Sequence, residues 1–231
     1  MRRAAGVLGE LLMTLGVLVL LFVVWQVWWT DVTSDRAHAK TVSALSRQFG
    51  DAAGSSGAGA AASGANLPSG AFAIVRIPRF GADYARPVVE GSSATELAQG
   101  LGHYTGTAMP GEVGNFAIAG HRTTFGKPLS AIDTLRTGDR VVVETAAGWT
   151  VYAVSGHEIV RPWQGEVIAP VPGEVGATPT KAVLTMTSCH PKFSAKQRWV
   201  VHADLVEQRT RAEGPPSSDV SVPDTAAMGA L

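Results

Sequence analysis

The chain has 231 residues, 19 Lys and Arg against 19 Asp and Glu, and one cysteine. A net charge of zero argues against a nucleic-acid partner, which needs a clustered basic excess, and a single cysteine excludes an internal disulfide and the paired-thiol zinc motifs. With the two ends discounted, about 130–140 residues remain, an ordinary size for one core.

Residues 1–10 carry Arg2 and Arg3, and Leu11 to Trp29 (LLMTLGVLVLLFVVWQVWW) carries no charge. That run is about the length a helix needs to cross a bilayer. Trp25, Trp28 and Trp29 gather at one end, where indoles favour the membrane–water interface, and the arginines lie at the other. The sequence therefore predicts a cytoplasmic 1–10, a single-pass signal anchor over 11–29 in the cell membrane, and everything after it outside. A cleaved signal peptide is the competing reading, because Ala37-His38-Ala39 has the small-x-small form of a cleavage site. The apolar run is longer than a usual signal core, and the gap to Ala39 is long and charged, which favours the anchor. Ser34 to Phe49 reads as a polar, weakly amphipathic helix leaving the membrane. From Asp51 to Ser69 the chain is Gly-, Ala- and Ser-rich, with too little apolar surface to fold. Residues 30–70 are thus expected to be a juxtamembrane stretch and flexible linker that hold a folded domain, 71–207, on a tether.

Within that domain the strands are short and punctuated by Gly and Pro. Ala71–Ile77, Pro87–Glu90, Asn115–Ala119, Arg140–Glu144, Trp149–Val154, Ala182–Thr187 and Arg198–Val206 read as strands, and Ala147-Gly148 as a hairpin turn. Ile159 and Val160 extend the sheet. Ala94–Gln99 and Pro128–Leu135 are the only helical stretches expected. The pattern points to an all-β barrel or sandwich. Residues 208–231 are polar and Pro-rich and read as a disordered tail.

Cys189 closes the apolar strand that begins at Ala182, and His190-Pro191 is expected to end that strand at the cysteine. A free cysteine is commonly a small buried hydrophobe. A thiol at a strand mouth, however, is presented rather than packed, and an imidazole or guanidinium nearby would make it a nucleophile. His121, flanked by glycine at a strand end, and Arg198, nine residues after the cysteine at the start of the next strand, are the candidates. His38, His157, His190 and His202 read as ordinary polar residues, and His103 is undecided. Asp83, Glu90, Glu112, Asp133 and Asp139 are scattered and suggest solvated surface rather than a metal site.

Thr185-Met-Thr-Ser-Cys189, Pro191-Lys-Phe193 and Arg198 together resemble the TLxTC…R signature of sortases. The stretch from Gly102 to Gly126 (GHYTGTAMPGEVGNFAIAGHRTTFG) is similar to their catalytic-histidine region, most like class E enzymes of high-GC Gram-positive bacteria. The resemblance runs from about Ala71 to Val206 and implies a closed β-barrel of about eight strands with short helices, preceded by the one transmembrane helix. It implies cysteine transpeptidation outside the membrane, with Cys189 as nucleophile, His121 as acid and base, Arg198 at the oxyanion, and no cofactor or metal. Tyr104, Thr187 and Ser188 become the substrate contacts to look for. The partners implied are secreted proteins with a C-terminal sorting signal of LAxTG type, and a peptidoglycan-precursor or pilin amine as acceptor. Met186 stands where Leu is usual, a near-isosteric swap, and Ser188 where Thr is usual. Two readings stay beside this one: an exported thiol hydrolase, and a non-catalytic extracellular β-domain with a structural cysteine.

Overall fold

The computed structural model describes residues 2–54 and 70–217. Eight strands, β1 (Ala71–Arg76), β2 (Arg86–Glu90), β3 (Leu101–His103), β4 (Gly114–Ala119), β5 (Arg140–Thr145), β6 (Gly148–Val160), β7 (Ala182–His190) and β8 (Gln197–Thr210), form a closed barrel in the order β1-β2-β3-β4-β7-β8-β6-β5. The β2–β3 and β4–β7 pairs are parallel and the other six antiparallel. Closure leaves no free sheet edge.

Side-chain alternation sorts each strand into an inner and an outer face. Phe116 and Ile118 of β4, Leu184 and Met186 of β7, and Val201 and Ala203 of β8 point into the core with Tyr152, Leu129 and Leu101. The intervening residues of β7 and β8 face outward. There Val200 is covered by Val160 and Val167, the latter from a 3-10 turn at Gly165–Ile168. Because the β6–β7 connection lies over this outer face, β7 is buried almost continuously, which explains its unbroken run of apolar and threonine residues.

Several boundaries differ from the sequence reading. β7 does not stop at Cys189 but continues through His190, which pairs with Gln197. β6 is one strand to Val160, held along its length by β8. The three-residue β3 carried no strand pattern of its own. Pro128–Leu135 forms only a 3-10 turn at Ile132–Thr134, and the other helical stretch narrows to α2, Ala94–Leu97, opened by a capping box between Ser93 and Glu96. Past residue 207 the chain is still ordered: β8 runs to Thr210, and Arg211 in the following turn ion-pairs with Glu144 at 2.8 Å. Residues 218–231 of the expected tail and 55–69 of the expected linker lie outside the described residues.

The other correction concerns residues 31–49. A single helix, α1 (Arg2–Gly54), includes both the apolar run and the juxtamembrane stretch. Its later half is docked on the barrel rather than tethered near it. Leu45 and Phe49 pack on Ala71, Ile74 and Val89. Asp35 meets Arg86 at 3.0 Å and Asp31 meets Lys127 at 2.6 Å. Leu11 to Val23 project into the surroundings, with Leu11 through Phe22 largely uncovered. Counted over the described residues, no helix is long and apolar enough to cross a membrane; the side chains of residue 24 and residues 26–30 lie outside the described set.

Candidate active site

Cys189 and Arg198 are direct partners in the β7–β8 register. Partners in a ladder share a face, so the two side chains leave the barrel on the same outer face. Cys189 is free and half-buried. Arg198 donates from one guanidinium nitrogen to the Ala195 and Gln197 carbonyls, both at 3.0 Å. These bonds hold its side chain along the β7–β8 turn.

His121 stands two residues past the end of β4, which lies parallel to β7 with Ala119 opposite Thr187. The chain on either side of the imidazole is fastened to the strand that carries the thiol. Before it, the Gly120 amide donates to the Thr187 carbonyl at 3.1 Å, and Ser188 Oγ donates to the Gly120 carbonyl at 2.8 Å. After it, Arg122 donates to the Cys189 carbonyl at 3.3 Å and to His190 Nδ1 at 3.0 Å. Arg122 is 3% exposed. It is anchored from behind by Asp133 at 2.6 Å and lies 5.8 Å from the Trp199 ring. His121 is therefore held beside Cys189 by its own neighbours in the chain. Its ring leans on Phe125 with centroids 5.0 Å apart. Nε2 is buried and makes no hydrogen bond among the described residues. Burial of the ring lowers its pKa below the ordinary histidine value, so the neutral imidazole, a base, is the resting form at neutral pH.

A cleft of about 100 Å³ opens next to Arg198. Its walls are Tyr104, Thr187, Val160 and the Arg161–Ile168 segment. Tyr104 Oη and Thr187 Oγ1 are 2.9 Å apart, so the two line one wall together. Ser188 is not among the lining residues. Its side chain is buried and donates to the Gly120 carbonyl, which fastens the histidine segment.

The remaining histidines have structural partners. His103 is buried between Glu90 at 2.6 Å, the Ala108 carbonyl and Thr107. His202 bridges Thr185 and Glu158, and His157 stacks flat on Trp199. Of the scattered acids, Glu90, Asp133 and Asp139 are held by His103, Arg122 and Arg79. No group of three or more His, Cys, Asp or Glu side chains is close enough to hold a metal ion among the described residues. Sequence reading missed Arg122 and Trp199. The signal for Arg122 was a charged residue directly after the candidate histidine in an otherwise small and apolar segment.

A sortase-domain family profile matches residues 75–206. Sortase SrtE1 of Streptomyces coelicolor is 39% identical over 226 residues, covering 94% of this chain and 62% of the relative, so the chain spans less than two thirds of that protein's length. Among solved structures, the SrtA sortase of Actinomyces oris is 43% identical, with a TM-score of 0.60 over 65% of this chain and 87% of that one. The sortase E1 of Streptomyces coelicolor, solved with a tripeptide in its active site, is 36% identical, with a TM-score of 0.60 over 68% of this chain and all of that one.

Proposed function

The chain belongs to the sortase family, within class E, and from that membership we propose that it is a membrane-anchored cysteine transpeptidase. Its substrate is a secreted protein with a C-terminal LAxTG-type sorting signal, cut between Thr and Gly. The observation that carries the reading is the arrangement of Cys189 opposite Arg198 in one ladder, with His121 fastened on both sides to residues 187–190.

The chemistry follows from these positions. Neutral His121 takes the Cys189 proton as Sγ attacks the threonine carbonyl, and a C–S bond forms. Arg198, facing the same point, donates to the oxyanion. The imidazolium then gives its proton to the glycine nitrogen, the C–N bond breaks, and a thioacyl-enzyme remains. An incoming amine attacks that carbonyl and yields its proton to His121, and the thiolate leaves. The cleft lined by Tyr104 and Thr187 accepts the residues before the scissile bond. The apolar, charge-free run 11–29, flanked by arginines and tryptophans, supports anchoring as a single-pass helix with an external barrel.

The test is the full chain in lipid nanodiscs with a quenched LAxTG peptide, with and without an amine, read by mass spectrometry beside Cys189→Ala. Amine-capped product that requires Cys189 is the expected result. Cleavage that no added amine redirects would point to a thiol hydrolase. An intact peptide with folded protein would return Cys189 to a structural role.

A further inference from the structure

The barrel has two chemically different ends. The end that carries the site is formed where β4, β6 and β7 finish, at Ala119, Val160 and His190, and where β2 and β8 start, at Arg86 and Gln197. The opposite end holds the start of β1, the β5–β6 hairpin and the end of β8.

α1 lies along the barrel between these ends, and its direction is fixed by its contacts. Phe49 sits over Ala71 and 5.0 Å from the Arg211 guanidinium, at the far end. Asp35 and Asp31 reach Arg86 and Lys127, at the catalytic end. Between Asp31 and Phe49 the helix rises about 27 Å, enough to span the barrel. The helix therefore emerges toward its own N-terminus from the catalytic end. The apolar run stops at Trp29, two residues before Asp31, or about 3 Å of helix. Whatever surface receives that run lies at the catalytic end of the barrel.

The rim on that end carries what such a surface would meet. Phe193, on the β7–β8 turn, is 90% exposed, and Trp163, on the β6–β7 connection, is 76% exposed. Arg161, Lys192 and Lys196 are exposed around them. Neither lysine makes an ion pair among the described residues; of the acids at this end, Asp133, Asp139 and Glu158 are each held by a partner, while Asp83 and Glu166 make no ion pair among the described residues. Uncovered aromatic rings beside exposed cations, with the Arg161 guanidinium 5.7 Å from the Trp163 ring, are the composition of a segment that rests in a lipid headgroup layer.

We propose that the catalytic end of the barrel faces an anionic bilayer surface, with Phe193 and Trp163 seated in the headgroup region and Lys192, Lys196 and Arg161 against its charge. The proposal rests on the anchoring of residues 11–29 put forward above. It deepens that reading by making the docked α1 a rigid strut that sets the end of the barrel carrying Cys189 toward the membrane rather than away from it. Substrates carried in or on the membrane then enter the cleft from the bilayer side.

The experiment uses the full chain with Cys189→Ala, carrying one introduced cysteine at a time: Leu20→Cys in the apolar run, Phe193→Cys on the rim, or Ala147→Cys in the β5–β6 hairpin. Each is labelled with a small fluorophore and placed in nanodiscs of phosphatidylcholine with a minority of phosphatidylglycerol. Quenching by doxyl-labelled lipid is then compared. The proposal expects strong quenching at Leu20 and at Phe193, and quenching at Phe193 at least about twofold above that at Ala147. Quenching at Leu20 with Phe193 no different from Ala147 would leave the anchor standing and overturn the membrane-facing orientation. No quenching at Leu20 would overturn the anchor, and the orientation with it.

Discussion

At the scale of single residues, the site depends on a side chain that never touches the thiol. Arg122 joins the segment after His121 to Cys189 and His190, while Asp133 steadies it. Replacing Arg122 by Ala leaves Asp133 and the Cys189 carbonyl without a charge-assisted donor. The expected cost is about 2–3 kcal/mol in urea unfolding. A larger fall in kcat than rise in KM should accompany it, because the imidazole loses its place before the cleft loses its shape. Arg122→Lys keeps the charge but not the fork, and should recover stability better than rate. The imidazole itself sets an acid limit. Burial lowers its pKa from 6.5, and the neutral ring is the one that takes the thiol proton. Protonation in the folded enzyme therefore occurs below the ordinary histidine range. The acid limb of kcat/KM against pH should have its midpoint below 6.5; a midpoint above 6.5 would mean that another group, or a charged resting imidazole, controls the rate.

At the scale of elements, the docking of α1 is the feature with the most reach. Its polar edge touches the same segment that carries His121. A Cβ on Gly126 would meet Asp35 Oδ1 at 2.8 Å, and Gly126 sits at φ 71 between Phe125 and Lys127, which are also left-handed. Only glycine fits there without strain, so Gly126→Ala should loosen the helix and slow the enzyme together. His38 is buried in this joint, with Nε2 on the Ala98 carbonyl at 3.3 Å and Asp35 and Arg86 beside it. Burial lowers its pKa, only partly offset by the Ala98 carbonyl. A free helix binds the proton at the ordinary value and the docked one below it. Docking is therefore at full strength above about pH 6.5 and weakens as the pH falls through and beneath it. Hydrogen exchange across 31–49 at descending pH checks this, and His38→Gln should remove the dependence. The joint was illegible in the sequence for a physical reason. Ser34 to Phe49 is weakly amphipathic, and the helix's binding face is built from three apolar side chains, Val42, Leu45 and Phe49, and three polar ones, Asp31, Asp35 and His38, whose partners lie 51 to 96 positions away. The strands were legible because period-two burial is written locally. The three-residue β3 was not, since it owes its existence to neighbours on both sides. Cys189, His121 and Arg198 could be named from motifs, but the bonds from Gly120, Arg122 and Ser188 that bring them together exist only once β4 lies beside β7.

At the scale of the whole molecule, the helix and the barrel form one folded unit, and cutting the chain at the linker should show it. A chain beginning at Gly70 keeps every strand and every residue of the site. It uncovers Ala71, Ile74 and Val89 where Leu45 and Phe49 were packed, and it leaves Arg86 and Lys127 without their aspartates. Burying the two side chains contributes roughly 3–5 kcal/mol. The exposed ion pairs add little to that. The shortened barrel should therefore melt at lower temperature, with a lower urea midpoint, than the full chain in nanodiscs. Its cleft is intact, so KM for a soluble peptide should change little. The His121 segment has lost the contacts of Asp31, Asp35 and His38, so kcat should fall. Leu45→Ala with Phe49→Ala in the full chain should reproduce most of that loss without removing the anchor, which separates docking from membrane attachment. If the shortened barrel matches the full chain in both urea midpoint and kcat, α1 serves only as a tether, and the barrel carries out its chemistry independently of the helix that lies along it.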